Sequence, residues 1–276
     1  GIYCRSGGDD RRILLWNPRR EESTPIKEYT GHSNRVACIA VAPGNASFAS
    51  CGADKSVFLW DVPSGRVTRR LQGHTQRVNA VAYNADGSVI ISAGYDTSVR
   101  CWDCRSRNNA PIQVLGEASD SVTSVAVAEH EIFTASVDGV LRCYDLRAGR
   151  ATRDTVGVAL THVALSHDAN CLLVASLDST IRLLDKATGQ LLSSYRGHMN
   201  SSTKLTCSLS FDDAHVLSGS EDGCLYVWDL VEGRQLAKCA GHRGAVAALA
   251  CDPKRLEVIT ASYDGEIKLW VPAVRP

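Results

Sequence analysis

The chain has no excess of charge of either sign: 30 Lys and Arg residues balance 30 Asp and Glu. A balanced chain offers no global field to draw in nucleic acid or an anionic membrane, so sequence-independent binding to either is disfavoured. Long apolar runs are also missing. No stretch approaches the roughly 20 apolar residues that a spanning helix needs, and no signal-peptide pattern opens the sequence. Nor does a glycine-rich phosphate loop follow a strand and open a helix. Cysteine, by contrast, is plentiful at 11 residues. The odd number and the length of 276 residues exclude a small disulfide scaffold. Cys38, Cys207 and Cys251 stand singly among apolar neighbours, as small buried hydrophobes do in a reducing compartment. The expectation is an intracellular, soluble chain. Residue 1 is Gly rather than Met, so further residues upstream are expected.

What is present is a period. An Asp followed six residues later by an aromatic or apolar residue recurs in DRRILLW (10–16), DKSVFLW (54–60), DTSVRCW (96–102), DGVLRCY (138–144), DSTIRLL (178–184), DGCLYVW (222–228) and DGEIKLW (264–270). The steps between these Asp residues are 44, 42, 42, 40, 44 and 42. Gly-His dipeptides carrying His32, His74, His198 and His242 precede four of them by 22 or 24 residues. Ser or Thr stands four positions before the Asp in six units, at Ser6, Ser50, Ser92, Thr134, Ser218 and Thr260. Between these marks, VACIAVAP, SFASCGAD, SVFLWDV and RVTRRLQG read as short strands cut by Gly, Asp and Pro turns. A period of about 40–45 residues with G-H and W-D marks is that of a propeller blade of four strands.

On these residues the sequence resembles the WD-repeat family over its full length. The resemblance implies an all-β, seven-bladed propeller forming one domain over 1–276, with units near 1–31, 32–73, 74–115, 116–156, 157–197, 198–241 and 242–276. It also implies a hydrogen-bonded chain of His, Ser/Thr, Asp and Trp inside a blade. The sets carried over are His32–Ser50–Asp54–Trp60, His74–Ser92–Asp96–Trp102, His198–Ser218–Asp222–Trp228 and His242–Thr260–Asp264–Trp270. An Asp held under packed strands needs donors, and imidazole, hydroxyl and indole supply them. The fifth unit has Val158, Val174 and Leu184 where the others have His, Ser/Thr and Trp, so its network is expected to give way to plain apolar packing. The fourth is intermediate, with Glu117 and Tyr144 in the His and Trp positions. By the same alignment the chain starts at the second strand of unit one and stops after the third strand of unit seven. The strands that complete the ring are therefore expected outside these residues.

CWDCR (101–105) carries three signals. Trp102 is in register with Trp16, Trp60, Trp228 and Trp270, which puts Cys101 and Cys104 on a strand, where i and i+3 point to opposite faces. That is poor geometry for one disulfide or one metal, and no second C-x-x-C or C-x-x-H completes four zinc ligands. WDCR and YDLR (144–147) also resemble the box through which some propellers dock on a cullin-RING ubiquitin ligase. Arg105 and Arg147 are thus either ligase-docking residues of a substrate receptor or structural partners of a neighbouring blade's Asp.

No catalytic residue, cofactor or metal is expected. Family resemblance places partner contacts on the loops that bear the Gly-His and Asp marks: Asp9, Arg35, Arg77, Tyr95, Glu221 and Tyr263, with Lys204 and Arg243 nearby. The loop MNSSTK (199–204) is two residues longer than its counterparts. VRCWDCRSR, VDGVLRCYDLR, SLDSTIRLLDKATGQLL and SEDGCLYVWDLVEG are similar to WD-repeat scaffolds that organise mitogen-activated protein kinase cascades and associate with the spliceosome. That resemblance implies a cytoplasmic and nuclear adaptor, a monomeric subunit of larger assemblies whose partners are kinase-cascade and splicing proteins. Contact with RNA by the chain itself does not follow, for want of a basic–aromatic platform.

Overall fold

The computed structural model describes residues 3–20 and 24–272. Among them, short antiparallel strands form seven sheets, each a meander in which chain neighbours are sheet neighbours. These sheets are the blades of an all-β, seven-bladed propeller, and each falls inside one repeat unit. Blade 1 consists of Cys4–Gly7, Arg12–Trp16 and Lys27–Thr30. Blade 2 shows the full pattern, with Val36–Val41, Ser47–Gly52, Ser56–Asp61 and Val67–Gln72. Blades 3 to 6 also have four strands, and blade 7 has three, Val246–Cys251, Val258–Ser262 and Ile267–Trp270. No helix among the described residues is long and apolar enough to cross a membrane.

The chain divides into two compact units, one running to Thr155 with blades 1 to 4, the other starting at Val156 with blades 5 to 7. Within each unit the core lies between neighbouring blades. Ile13 and Tyr29 of blade 1 pack on Phe48, Phe58 and Trp60 of blade 2. Ala49, Val57 and Leu71 of blade 2 pack on Val81, Ile90 and Trp102 of blade 3. Leu173, Ile181 and Tyr195 of blade 5 likewise pack on Cys207, Val216 and Trp228 of blade 6. A sheet covered on both faces buries every side chain of its middle strands, so these read as continuous apolar runs rather than alternations. Phe48–Gly52, Val57–Trp60, Leu172–Ser176 and Val216–Gly219 are buried at every position.

The first strands of blades 2, 3, 4, 5 and 7 each carry a register shift near the start, between Val36 and Cys38 in blade 2 and between Val78 and Ala80 in blade 3. An extra residue bends the strand and re-aims what precedes it. Blade 6 has only three residues in its first strand, Cys207–Leu209, with no such shift.

Phe48 is the keystone of the contact between blades 1 and 2, edge-on to Tyr29 at 4.9 Å and stacked on Trp60 at 5.8 Å. Phe48→Ala is expected to cost about 3–5 kcal/mol by leaving a cavity there. Urea unfolding reads it, and an unchanged midpoint would contradict this packing.

Candidate functional site

Three blades contain the four-residue chain. In blade 2, Trp60 Nε1–H donates to Ser50 Oγ at 2.8 Å, Ser50 Oγ lies 2.6 Å from His32 Nε2, and His32 Nδ1 lies 2.7 Å from Asp54. Blade 3 repeats it with Trp102–Ser92 at 2.8 Å, Ser92–His74 at 2.8 Å and His74–Asp96 at 2.9 Å. In blade 7 Trp270–Thr260 and Thr260–His242 are both 2.8 Å, and His242–Asp264 is 3.0 Å. The donor inventory fixes the direction. Indole only donates, so the hydroxyl accepts from Trp and gives its own hydrogen to His Nε2. His must then carry its proton on Nδ1 and donate it to the carboxylate. The same carboxylate accepts the N–H of the residue after His, from Ser33, Thr75 or Arg243. Burial pushes the Asp96 carboxyl up, but the bonds from His74, Thr75 and Ser98 outweigh it and hold it well below the ordinary carboxylate range. Blade 1, with no Gly-His among the sequence marks, keeps only the Trp16–Ser6 link at 2.8 Å, and Asp10 takes the Arg12 side chain.

The fourth expected set is not formed. His198 is buried, and neither ring nitrogen has a hydrogen-bond partner. Ser218 Oγ donates to the Gly219 carbonyl, and Trp228 Nε1–H to the Arg196 carbonyl at 3.0 Å. Asp222 is claimed from the other side, by Tyr226 Oη and Lys238 Nζ, each at 2.9 Å. The cause is the longer loop after His198. Met199 N–H, the counterpart of the N–H that reaches Asp in blades 2, 3 and 7, goes instead to Ser220 Oγ at 3.0 Å. Glu221 gathers the rest of the loop, accepting the N–H groups of Ser201, Ser202 and Thr203 at 2.8–3.1 Å and both serine hydroxyls. Burial pushes the Glu221 carboxyl up, yet these donors bring it down to about 2. His198 packs against Tyr226 and Trp228 as an apolar ring would, and burial lowers its pKa to about 4.

Blade 5 corrects a second expectation, for its polar network is replaced rather than lost. Arg182, four residues after Asp178, bonds it at 2.6 Å and also donates to Ser176 Oγ at 2.6 Å. Blade 4 has the same device, with Arg142 on Asp138 at 2.7 Å and on Ser136 at 2.7 Å. In blade 3 the network leaves no room for a side chain two residues before the Asp. At Gly94, two residues before Asp96, a Cβ would stand 2.9 Å from His74 Nδ1 and 2.8 Å from Asp96 Oδ1. Ser136 and Ser176 occupy the corresponding position in blades 4 and 5 and hydrogen-bond their own Asp. The signal was present as S-x-D-x-x-x-R in both units.

The remaining sequence candidates separate. Cys101 is buried between blades 3 and 4 while Cys104 packs toward the contact of blades 2 and 3, and both thiols are pushed up to about 11 by burial. Arg105 pairs with Asp86 of its own blade at 3.3 Å, both largely exposed, rather than with a neighbouring blade. Arg147 is exposed, and its backbone N–H closes a turn on Asp145. In the first unit Arg77 lies over the Tyr95 ring at 4.6 Å, and Asp9 and Arg35 are exposed. In the second unit Tyr263 and Arg243 are exposed, Lys204 is half-buried, and Glu221 is turned into its own loop. His242, Asp264 and Glu266 are close enough to share an ion, but both His242 nitrogens are already engaged.

Two measurements follow from this geometry. Asp96→Ala strands the His74, Thr75 and Ser98 donors and is expected to cost on the order of 1–3 kcal/mol, against an unchanged melting temperature if the network bears no load. His198 in the unfolded chain takes up a proton near pH 6.5, but the folded ring does so only near 4. The unfolded state therefore binds more protons between these values. Stability is whole above pH 6.5 and falls as the pH drops toward 4, by about 3 kcal/mol for this residue. His198→Phe should flatten that part of the pH dependence of urea unfolding. Parallel curves for variant and parent would contradict the unpartnered ring.

The geometry agrees with comparison to known proteins. The model of the N-terminal domain of nucleolar protein 10-like proteins, a β-propeller, matches residues 32–208. The WD domain, G-beta repeat, matches residues 189–229 and 233–271. WD repeat domain-containing protein 83 of Rattus norvegicus is 48% identical over 270 residues, which is 98% of this chain and 85% of the rat protein. The Homo sapiens protein of that name is 47% identical with the same coverage. The Dictyostelium discoideum homolog is 30% identical over 299 residues, 98% of this chain and 91% of its own. With its seven repeated sheets, its internal Trp–Ser/Thr–His–Asp chains and relatives matched along 98% of its length, the chain belongs to the WD-repeat β-propeller family, in the group of WD repeat domain-containing protein 83.

Proposed function

We propose that the chain is a non-enzymatic protein-binding scaffold. By its resemblance it gathers members of a mitogen-activated protein kinase cascade and, in the nucleus, associates with pre-mRNA splicing complexes, so that it works in both cytoplasm and nucleus. The observation that carries the reading is a division of labour among polar groups. The histidines and aspartates of blades 2, 3 and 7 are bonded inward to one another, whereas the loop side chains beside them face solvent. Asp54, Asp96 and Asp264 are all held below the ordinary carboxylate range, so they stay ionised as fixed acceptors and do not serve as proton donors at neutral pH. Tyr95, 44% exposed and braced by Arg77, and Tyr263, 67% exposed, are of the side-chain types that dominate binding hot spots.

Affinity purification of the tagged chain, compared with an Arg77→Ala/Tyr95→Ala variant of equal melting temperature, tests this. Kinase-cascade or splicing proteins are expected with the parent and should fall about tenfold or more in the variant, as loss of a hot-spot pair implies. Equal recovery from both would remove these loops from the contact. Absence of both protein classes from the parent would overturn the scaffold reading.

A further inference from the structure

We infer that the loops of blades 1 to 3 form an anion-recognition surface, and that its ligand is an acidic segment of a partner protein. The inference rests on the scaffold reading and gives the chemistry of the partner for the same loops. Arg11, Arg35, Lys55 and Arg77 are all exposed. Among the described residues no carboxylate lies within ion-pair distance of any of them, although Arg12, Arg100, Arg105, Arg142, Arg153 and Arg182 all have one. Four unpaired cations on adjoining loops contrast with a chain whose formal charges cancel.

Backbone bonds tie the loops of blades 1 and 2 together and close the loop of blade 3 on itself. The Gly8 carbonyl accepts the N–H groups of both Arg11 and Val36, and the Arg35 carbonyl that of Ala53. Lys55 N–H closes the same turn on Gly52, and the Arg77 carbonyl accepts Tyr95 N–H. Lys55, Gln76, Arg77 and Tyr95 line one open depression. The carboxylates closest in sequence are otherwise engaged: Asp54 and Asp96 face their histidines and Asp10 holds Arg12. Asp9 and Asp10 are both exposed acids on the blade 1 loop, and of the two Asp10 is the one that holds Arg12.

Two of the cations stand at a left-handed backbone position. The residue after the blade Asp has a left-handed backbone, with φ of 76°, 78° and 83° at Gly139, Gly223 and Gly265. Blades 1, 2, 3 and 5 have side chains there instead, Arg11, Lys55, Thr97 and Ser179, at φ 66°, 62°, 61° and 58°. A long side chain is disfavoured in that region, and strained residues concentrate at binding sites. The turn is satisfied by glycine, threonine or serine in other blades, so the charge of these two residues is not a requirement of the turn.

A carboxylate-rich peptide suits this arrangement. Arginine forks bind carboxylates through paired hydrogen bonds, and the Tyr95 ring holds the Arg77 guanidinium in place for one. Nucleic acid fits less well, because stacking platforms present successive open rings. Tyr95 is the one ring lining the depression, and one of its faces is taken by Arg77.

The test is fluorescence anisotropy with a labelled oligoglutamate peptide, a single-stranded oligoribonucleotide of matched charge and inorganic phosphate as separate probes. Oligoglutamate should bind most tightly, weaken as salt is raised, and lose about tenfold or more in affinity in Lys55→Glu/Arg77→Glu, a charge reversal that should leave the melting temperature unchanged. No oligoglutamate binding, tighter binding of the oligoribonucleotide or of phosphate, or equal affinity in the variant would each overturn the inference. If Arg77→Ala/Tyr95→Ala still loses its partners in the purification described above while oligoglutamate fails to bind, the scaffold reading stands and only the acidic ligand class falls.

Discussion

Each blade must place an ionised carboxylate at the turn between its second and third strands and surround it with donors. Everything else in the molecule is arranged around that requirement. A buried acceptor without partners costs more than a hydrogen bond gains, so the donors are part of the fold. Blades 2 to 7 meet the requirement in three ways, while in blade 1 the exposed Asp10 bonds Arg12 two residues on. Blades 2, 3 and 7 use Trp, Ser/Thr and His in series, which fixes the proton on His Nδ1. Blades 4 and 5 reach the same carboxylate with an arginine four residues on and a serine two residues before. Blade 6 uses Tyr226 and Lys238 and leaves its histidine without a bond. An invariant role is thus filled by different chemistry, because the geometric constraint lies on the carboxylate and its turn.

The consequence for function is that the interior absorbs the reactive-looking residues. Histidines and aspartates that in another setting would suggest acid–base chemistry are bonded to each other, and the thiols of the apolar contacts between blades are held protonated by burial. Recognition is left to the loop side chains that the networks do not use. Arg77 and Tyr95 are the best organised of these, since each restrains the other and less freedom remains to be lost on binding.

Much of the fold was legible because a repeated turn leaves a repeated residue. The seven Asp marks gave the seven sheets, and the apolar runs gave the middle strands. Registers of His, Ser/Thr and Trp, with the family resemblance, identified the residues of three networks. What was not legible depended on loop length and on residues outside the registers. Gly197-His198 has the right dipeptide, yet with two additional residues after it Ser220 takes the Met199 N–H that Asp222 would have accepted, and Glu221 gathers the rest of the loop. Asp178 looked isolated because its partner, Arg182, lies after it rather than before it. The pairing of Arg105 with Asp86 of the same blade was hidden for a similar reason: sequence register says which strand a residue occupies but not which turn its long side chain reaches. Exposure of the loop cations, and the left-handed backbone at Arg11 and Lys55, come only from coordinates.

The most direct measurement is a pair of double-mutant cycles, one on His74 and Asp96, the other on His198 and Asp222. The two pairs occupy the same register, but only the first is bonded. Unfolding free energies should be coupled in blade 3 by about 0.5–3 kcal/mol, as for residues in one hydrogen-bond network, and additive in blade 6. Additivity in blade 3, or equal coupling in both blades, would contradict the claim that the carboxylate's bonded donors, rather than the register of the repeat, hold each blade together.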